Sequence, residues 1–175
     1  MSKVIPTHGL HPWRLGGLEG KPTKEVLKEM HSLIEKTPDK APAGRGPRST
    51  FGGESFNSFK NRFLGHVKVQ MQNYKPTKKI LNVTHYRGIR LLQAWVKKGA
   101  NPSLDIDTSI MTTKGNDNPA DLFRLHPDDK GQWKMAKTKD VAEPGIYFAR
   151  HGSTEYNAEN KDVGPRTAPP PNMEV

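Results

Sequence analysis

The 175-residue chain has no cysteine, which excludes disulfides and thiolate metal sites and leaves its redox compartment unreadable. Long apolar runs are missing as well: no stretch approaches a membrane span, and the first residues lack the apolar region of a signal peptide. A soluble, cytoplasmic chain is therefore the expectation. Apolar residues make up only 33%, aromatic residues 7%, and mean hydropathy is −0.81. At this length such a composition allows one domain with a small core and little room for a second. Acidic residues are scarce beside basic ones, 18 against 28, giving a net charge of +10. That excess predicts an anionic partner: a phosphorylated small molecule, an acidic protein surface, or a nucleic acid. Glycine and proline, by contrast, are plentiful at 16 and 15, so loops are expected to be long.

The apolar residues that exist are well patterned. Residues 3–6 predict a short strand. Thr23 can cap a helix reaching about Lys36, with Val26, Met30 and Leu33 on one face. Residues 37–53 are rich in Pro, Gly and basic side chains and predict a loop. Ser55 then precedes a stripe of Phe56, Phe59, Phe63, Val67, Met71 and Tyr74, which predicts an amphipathic helix of about five turns. Residues 78–84 predict a strand, His85 to Gly88 a turn, and Ile89, Leu92, Trp95 and Val96 a helix that Gly99 can end. Residues 105–111 suggest a strand. Residues 122–125 and 132–136 flank the sequence HPDDKG, which suggests a hairpin, and 145–149 form a last strand. Helices interleaved with apolar strands predict an α/β class with a mostly parallel sheet flanked by helices. Residues 1–160 would form the domain and 161–175, with three consecutive prolines, an extended tail.

Two histidines each follow a core-type strand. The first, His85, closes the run ILNVT. The second, His151, closes GIYFA and is preceded by Arg150 and followed by Gly152. A histidine there suits phosphoryl transfer: the imidazole attacks phosphorus, the arginine binds phosphate oxygens in a bidentate manner, and glycine allows close approach. No HExxH or other paired-ligand spacing occurs among the seven histidines, and there is neither a Walker loop nor GxGxxG. Asp105 and Asp107 read as a solvated pair rather than a metal site. Basic clusters at Lys78-Lys79, Lys97-Lys98 and Arg45 to Arg48, near Tyr74, Trp95 and Phe51, leave nucleic acid as an option that is not favoured.

The stretch from Gly145 to Asn157 resembles the opening segment of the histidine phosphatase, or phosphoglycerate mutase-like, superfamily. Residues 80–92 (ILNVTHYRGIRLL) are similar to its VxVxHGGxIRxLL segment, with Tyr86-Arg87 in place of one glycine. Gly52-Gly53-Glu54-Ser55 with Arg62 resembles PGGES…R, and residues 10–20 resemble LxExxxGxxEG. The last three segments follow the family order, whereas the opening segment comes at the end. The resemblance thus covers about four fifths of the chain and implies a circularly permuted domain, a change tolerable where new ends fall in surface loops. It implies phosphomonoester hydrolysis through a phosphohistidine on His151. Arg150 and His85 would hold the phosphoryl group, Thr154 and Asn157 would support the phosphate pocket, and no metal or cofactor would be needed.

Two departures qualify this expectation. The family has a helix, a strand and a second helix after its opening segment, and that stretch carries a second phosphate-binding arginine. Only eighteen residues follow Asn157 here. The family's general-acid glutamate falls on Pro12, which cannot donate a proton, and His8, His11 or an aspartate could substitute without the sequence selecting one. The alternative is a non-catalytic component of a larger assembly, such as a virion, that reuses the fold and docks through its C-terminal tail.

Overall fold

The computed structural model describes residues 3–46 and 52–151. The elements in order are a 3-10 turn at Gly16–Leu18, then α1 (Thr23–Glu35), α2 (Phe56–Gln72), β1 (Lys79–Thr84), α3 (Tyr86–Lys97), α4 (Thr108–Thr112), β2 (Leu122–Pro127), β3 (Trp133–Thr138) and β4 (Gly145–Arg150). Helix α2 begins where its sequence says it should, with the Ser55 hydroxyl accepting the Ser58 N–H at 3.1 Å. Its aromatic stripe is buried at Phe56, Phe59 and Phe63, and the Trp13 ring stacks on Phe59 at 5.8 Å. Helix α3 ends at Gly99, whose φ of +83° suits a residue without a Cβ.

The four strands lie in the order β1-β4-β2-β3. The α/β class holds, with helices flanking a sheet, but the sheet is mixed rather than mostly parallel. Only β1 and β4 run parallel, while β4/β2 and β2/β3 are antiparallel. The turn between β2 and β3 explains part of this: Asp128 Oδ1 accepts from the N–H groups of Lys130 and Gln132, both at 2.9 Å, and Gly131 has φ +77°. So tight a turn can join only antiparallel neighbours. Strand β3 then ends beside the start of β2, while β4 begins beside the far half of β2. Residues 139–144 therefore cross back over one face of the sheet. There Arg124 donates two hydrogen bonds to Pro144 O, and the Tyr147 hydroxyl donates to Glu143 O.

The other face carries the core. Register places Ile80, Ile146, Leu125 and Met135 side by side, and Phe148 beside Phe123. Ile80, Ile146, Leu125, Met135 and Phe148 pack with Met30 and Leu33 of α1, the α2 stripe, and Leu91, Leu92 and Trp95 of α3. Trp95 is buried and Tyr74 packs edge-on against Trp133 at 5.5 Å, so neither stands beside the lysines as an exposed stacking surface.

Two expected strands are absent. Residues 3–6 have no strand partner. Residues 105–111 contain the short helix α4, because the Asp107 carboxylate accepts from the Ser109 N–H and hydroxyl and so caps a helical turn. Thr23 is the first residue of α1 rather than its cap, a place taken by Pro22.

Candidate active site

Thr84 and Arg150 are register partners at the C-terminal ends of the parallel pair β1 and β4. The His151 N–H donates to Thr84 O at 3.0 Å, carrying the pairing one residue further. The residues after these partners are His85 and His151, whose ring centroids lie 4.3 Å apart with planes inclined at 59°. His85 also stands at the N-cap position of α3, with extended dihedrals of −118° and 163°. The helix thus starts at the histidine pair, and its first N–H groups and dipole favour an anion there. Gly88 in that first turn has no space for a side chain: a Cβ would lie 2.5 Å from the Phe63 ring.

The charge around His85 is of one sign. Burial is the main reason its pKa falls from 6.5 to about 3, and the nearby His151, His11, Arg87 and Arg150 all push it the same way. Cationic groups crowded at a partly buried site repel one another, and an entering anion would relieve that repulsion. Arg150 is held by Nη1 donating to Asp117 O at 2.7 Å and by packing over the Tyr86 ring at 5.0 Å. Its Nε is buried and has no hydrogen-bond partner among the described residues, a donor that an anionic oxygen would satisfy. The Tyr86 hydroxyl accepts the Gly115 N–H at 3.0 Å, and Arg90 donates to Ile110 O at 2.7 Å. These bonds tie α4 and the loop after it to the first half of α3.

A second loop reaches the same strand ends. Thr84 Oγ1 donates to Leu10 O at 3.1 Å, and the Arg62 guanidinium donates to the carbonyls of His8, Gly9, His11 and Pro12. Arg62 is itself fixed by Glu54 at 2.5 Å.

Of the site residues expected from sequence, His85, His151 and Arg150 are brought together. Thr154 and Asn157 lie outside the described residues, as do Gly152 and the tail. Arg87 and His11 join the cluster without having been selected by any motif. Arg87 occupies a position where the resembling segment has glycine, and His11 depends on a loop conformation that spacing does not encode. Asp105 and Asp107 form no metal site: Asp105 accepts from Ser103, Asp107 caps α4, and no metal-binding cluster occurs among the described residues.

The family model described as the histidine phosphatase superfamily (branch 1) matches residues 2–114. The chain belongs to that superfamily. No curated protein and no solved structure matches it. Membership supports phosphatase- or mutase-type chemistry in general terms. The matched span holds His85, Arg87, the loop at residues 8–12 and the Glu54/Arg62 pair, and ends before β4. No helix among the described residues is long and apolar enough to cross a membrane.

Proposed function

We propose that this histidine phosphatase superfamily chain hydrolyses phosphomonoesters through a phosphohistidine on His151. One observation carries the reading: two histidines 4.3 Å apart at the ends of adjacent parallel strands, surrounded by cations. A phosphoryl group between them would meet His151 as nucleophile, with His85 and Arg150 on its oxygens and the start of α3 behind it. Arg87 takes the part of a second phosphate-binding arginine. Thr154 and Asn157 complete the pocket on this proposal. Attack by His151 forms an N–P bond and breaks the ester P–O bond; water then attacks phosphorus, and the imidazole leaves as phosphate is released. Charge neutralisation falls to arginine and histidine, so activity should survive a chelator.

The arrangement also supports circular permutation and shortening. Strand β4 lies beyond the matched residues yet enters the sheet parallel to β1, where an opening strand carrying the nucleophile would have to sit. Residues 1–160 then form the permuted domain, with 161–175 a tail for contact with another, acidic chain. The test is hydrolysis of p-nitrophenyl phosphate by wild type and His151→Ala. The variant should lose at least about 10³-fold, as removal of a nucleophile does elsewhere. Acid-labile phosphate should be trapped on the wild-type protein alone. Equal rates in the two proteins would end the proposal.

A non-catalytic role in an assembly is the second reading. Leu81 and Val83, 58% and 63% exposed on the edge strand β1, favour it, since a neighbouring chain could cover them. A wild-type protein that self-associates and turns over no phosphoester would favour this reading over the first.

A further inference from the structure

The phosphoryl transfer proposed above leaves the departing alcohol unserved. An alkoxide is a strong base, and expelling it needs a proton delivered as the P–O bond breaks. His151 and His85 already have tasks. Most carboxylates nearby are engaged as acceptors: Glu54 faces Arg62 and Arg14, Glu19 accepts the Leu15 N–H, and Asp121 holds the Asn118 N–H and Lys137. Asp117 accepts from Gln93 through Oδ1, and its buried Oδ2 faces the Arg90 cation at 3.9 Å without a hydrogen bond among the described residues, an environment that favours the carboxylate over a proton-donating acid.

The loop at residues 8–12 is built differently. One guanidinium, Arg62, collects four of its carbonyls, and Thr84, the residue before His85, takes the carbonyl of Leu10. Leu10 is buried, so the loop is pinned by its backbone and by one apolar side chain at the C-terminal end of β1. His8 and His11 remain exposed, with ring centroids 5.0 Å apart. His11 follows Leu10 directly, as His85 follows Thr84, so the Thr84–Leu10 hydrogen bond brings the loop that carries His11 to the strand end that carries His85.

We infer that His11 is the proton donor to the leaving group, an assignment that rests on the phosphohistidine reading. In the first step His151 forms its bond to phosphorus, the ester P–O bond breaks, and the departing oxygen takes the proton of the His11 imidazolium. In the second step water attacks phosphorus, the N–P bond breaks, and the proton released with phosphate returns to His11 through solvent. The sum is phosphomonoester plus water giving alcohol plus phosphate, with every group returned to its starting form. Burial and the charges of His8, Arg62 and Arg14 lower the His11 pKa below 6.5, Glu54 opposes them, and His85 feels the His11 charge in turn. The acid form is therefore filled on the acid side of neutrality, and a bound phosphoryl dianion increases it.

Two measurements test the assignment. His11→Gln and His11→Ala, at an exposed site where folding is safe, are assayed on an alkyl phosphate and on p-nitrophenyl phosphate. The alkyl rate should fall about 10²–10³-fold, while the nitrophenyl rate, whose leaving group needs no proton, should stay within about threefold. Equal losses on both esters, or an unchanged alkyl rate, would overturn the role. Histidine-selective NMR titration, with and without inorganic phosphate, reads His11 without turnover: its midpoint should rise with phosphate in wild type and in His151→Ala. A fixed midpoint overturns the His11 assignment even in an active protein. A wild-type protein inert on both esters would instead overturn the phosphohistidine reading, and the proton-donor role with it.

Discussion

Strands β1 and β4 both end in a histidine of the candidate site, but they are held in different ways. Strand β4 lies between β1 and β2, and its first four residues are buried without interruption. Strand β1 is an edge: its burial alternates, with Asn82 and Thr84 buried and Leu81 and Val83 exposed. The sheet itself therefore fixes His151. His85 depends on side-chain bonds from elsewhere, namely the reciprocal Gln70–Asn82 amide pair at 2.8 and 2.9 Å and the Thr84–Leu10 bond. The difference shows how one pair can combine a histidine fixed by the sheet with a partner held from a neighbouring helix and loop.

The largest expected effect separates the two strands by stability. Phe148 of β4 is fully buried in the core, and Phe148→Ala should cost about 3–5 kcal/mol. Val83→Ala on the open face of β1 should stay within about 0.5 kcal/mol. Urea unfolding of both variants is the measurement. A large loss in Val83→Ala would break the comparison, because the outer face of β1 would then have to be covered in solution.

The same contrast governs what could be read in advance. The apolar run from Gly145 to Ala149 predicts a core-type strand, and β4 is one, its first four residues buried. The stripe from Phe56 to Val67 and the Ser55 cap predict α2 closely. Local patterns failed where a side chain competed with them. Ile106, Ile110 and Met111 look strand-like until Asp107 caps a helical turn. Sheet direction failed because the hairpin turn at Asp128 and the crossover at 139–144, not the alternation of elements, decide it. At the site, strand-end histidines were legible by position. The proximity of His11 was not, since it arises from one arginine gathering the carbonyls of a distant loop.

A smaller effect should appear at the hinge between β1 and α3. A Cβ at Gly88 would meet two carbons of the Phe63 ring at 2.5 and 2.7 Å, and Phe63 is fully buried. Overpacking there should cost about 1–3 kcal/mol, against which the better helix propensity of alanine recovers up to about 1 kcal/mol. Because Gly88 stands three residues after His85, the shift should reach the site. Gly88→Ala is thus expected to lower phosphatase activity more than stability, with the phosphate-induced chemical shift of His85 reduced in NMR. Full activity together with wild-type stability would mean that α3 can move without carrying His85.

The last effect is a pH dependence that belongs to His85. Its pKa in the folded chain is about 3 against an ordinary 6.5, chiefly through burial. Between these values the unfolded chain binds a proton that the folded chain refuses, so stability rises with pH across this window and is lost on acidification. One such group can contribute at most about 1.4 kcal/mol per pH unit. His11 and His66, whose pKa values are also lowered, add in the same direction. Thermal unfolding from pH 7.5 to 4.5 should therefore show a midpoint that falls below about pH 6.5, with a shallower fall in His85→Asn. An equally steep fall in that variant would assign the acid sensitivity to other groups. His85 would then be less isolated from solvent than its lowered pKa implies.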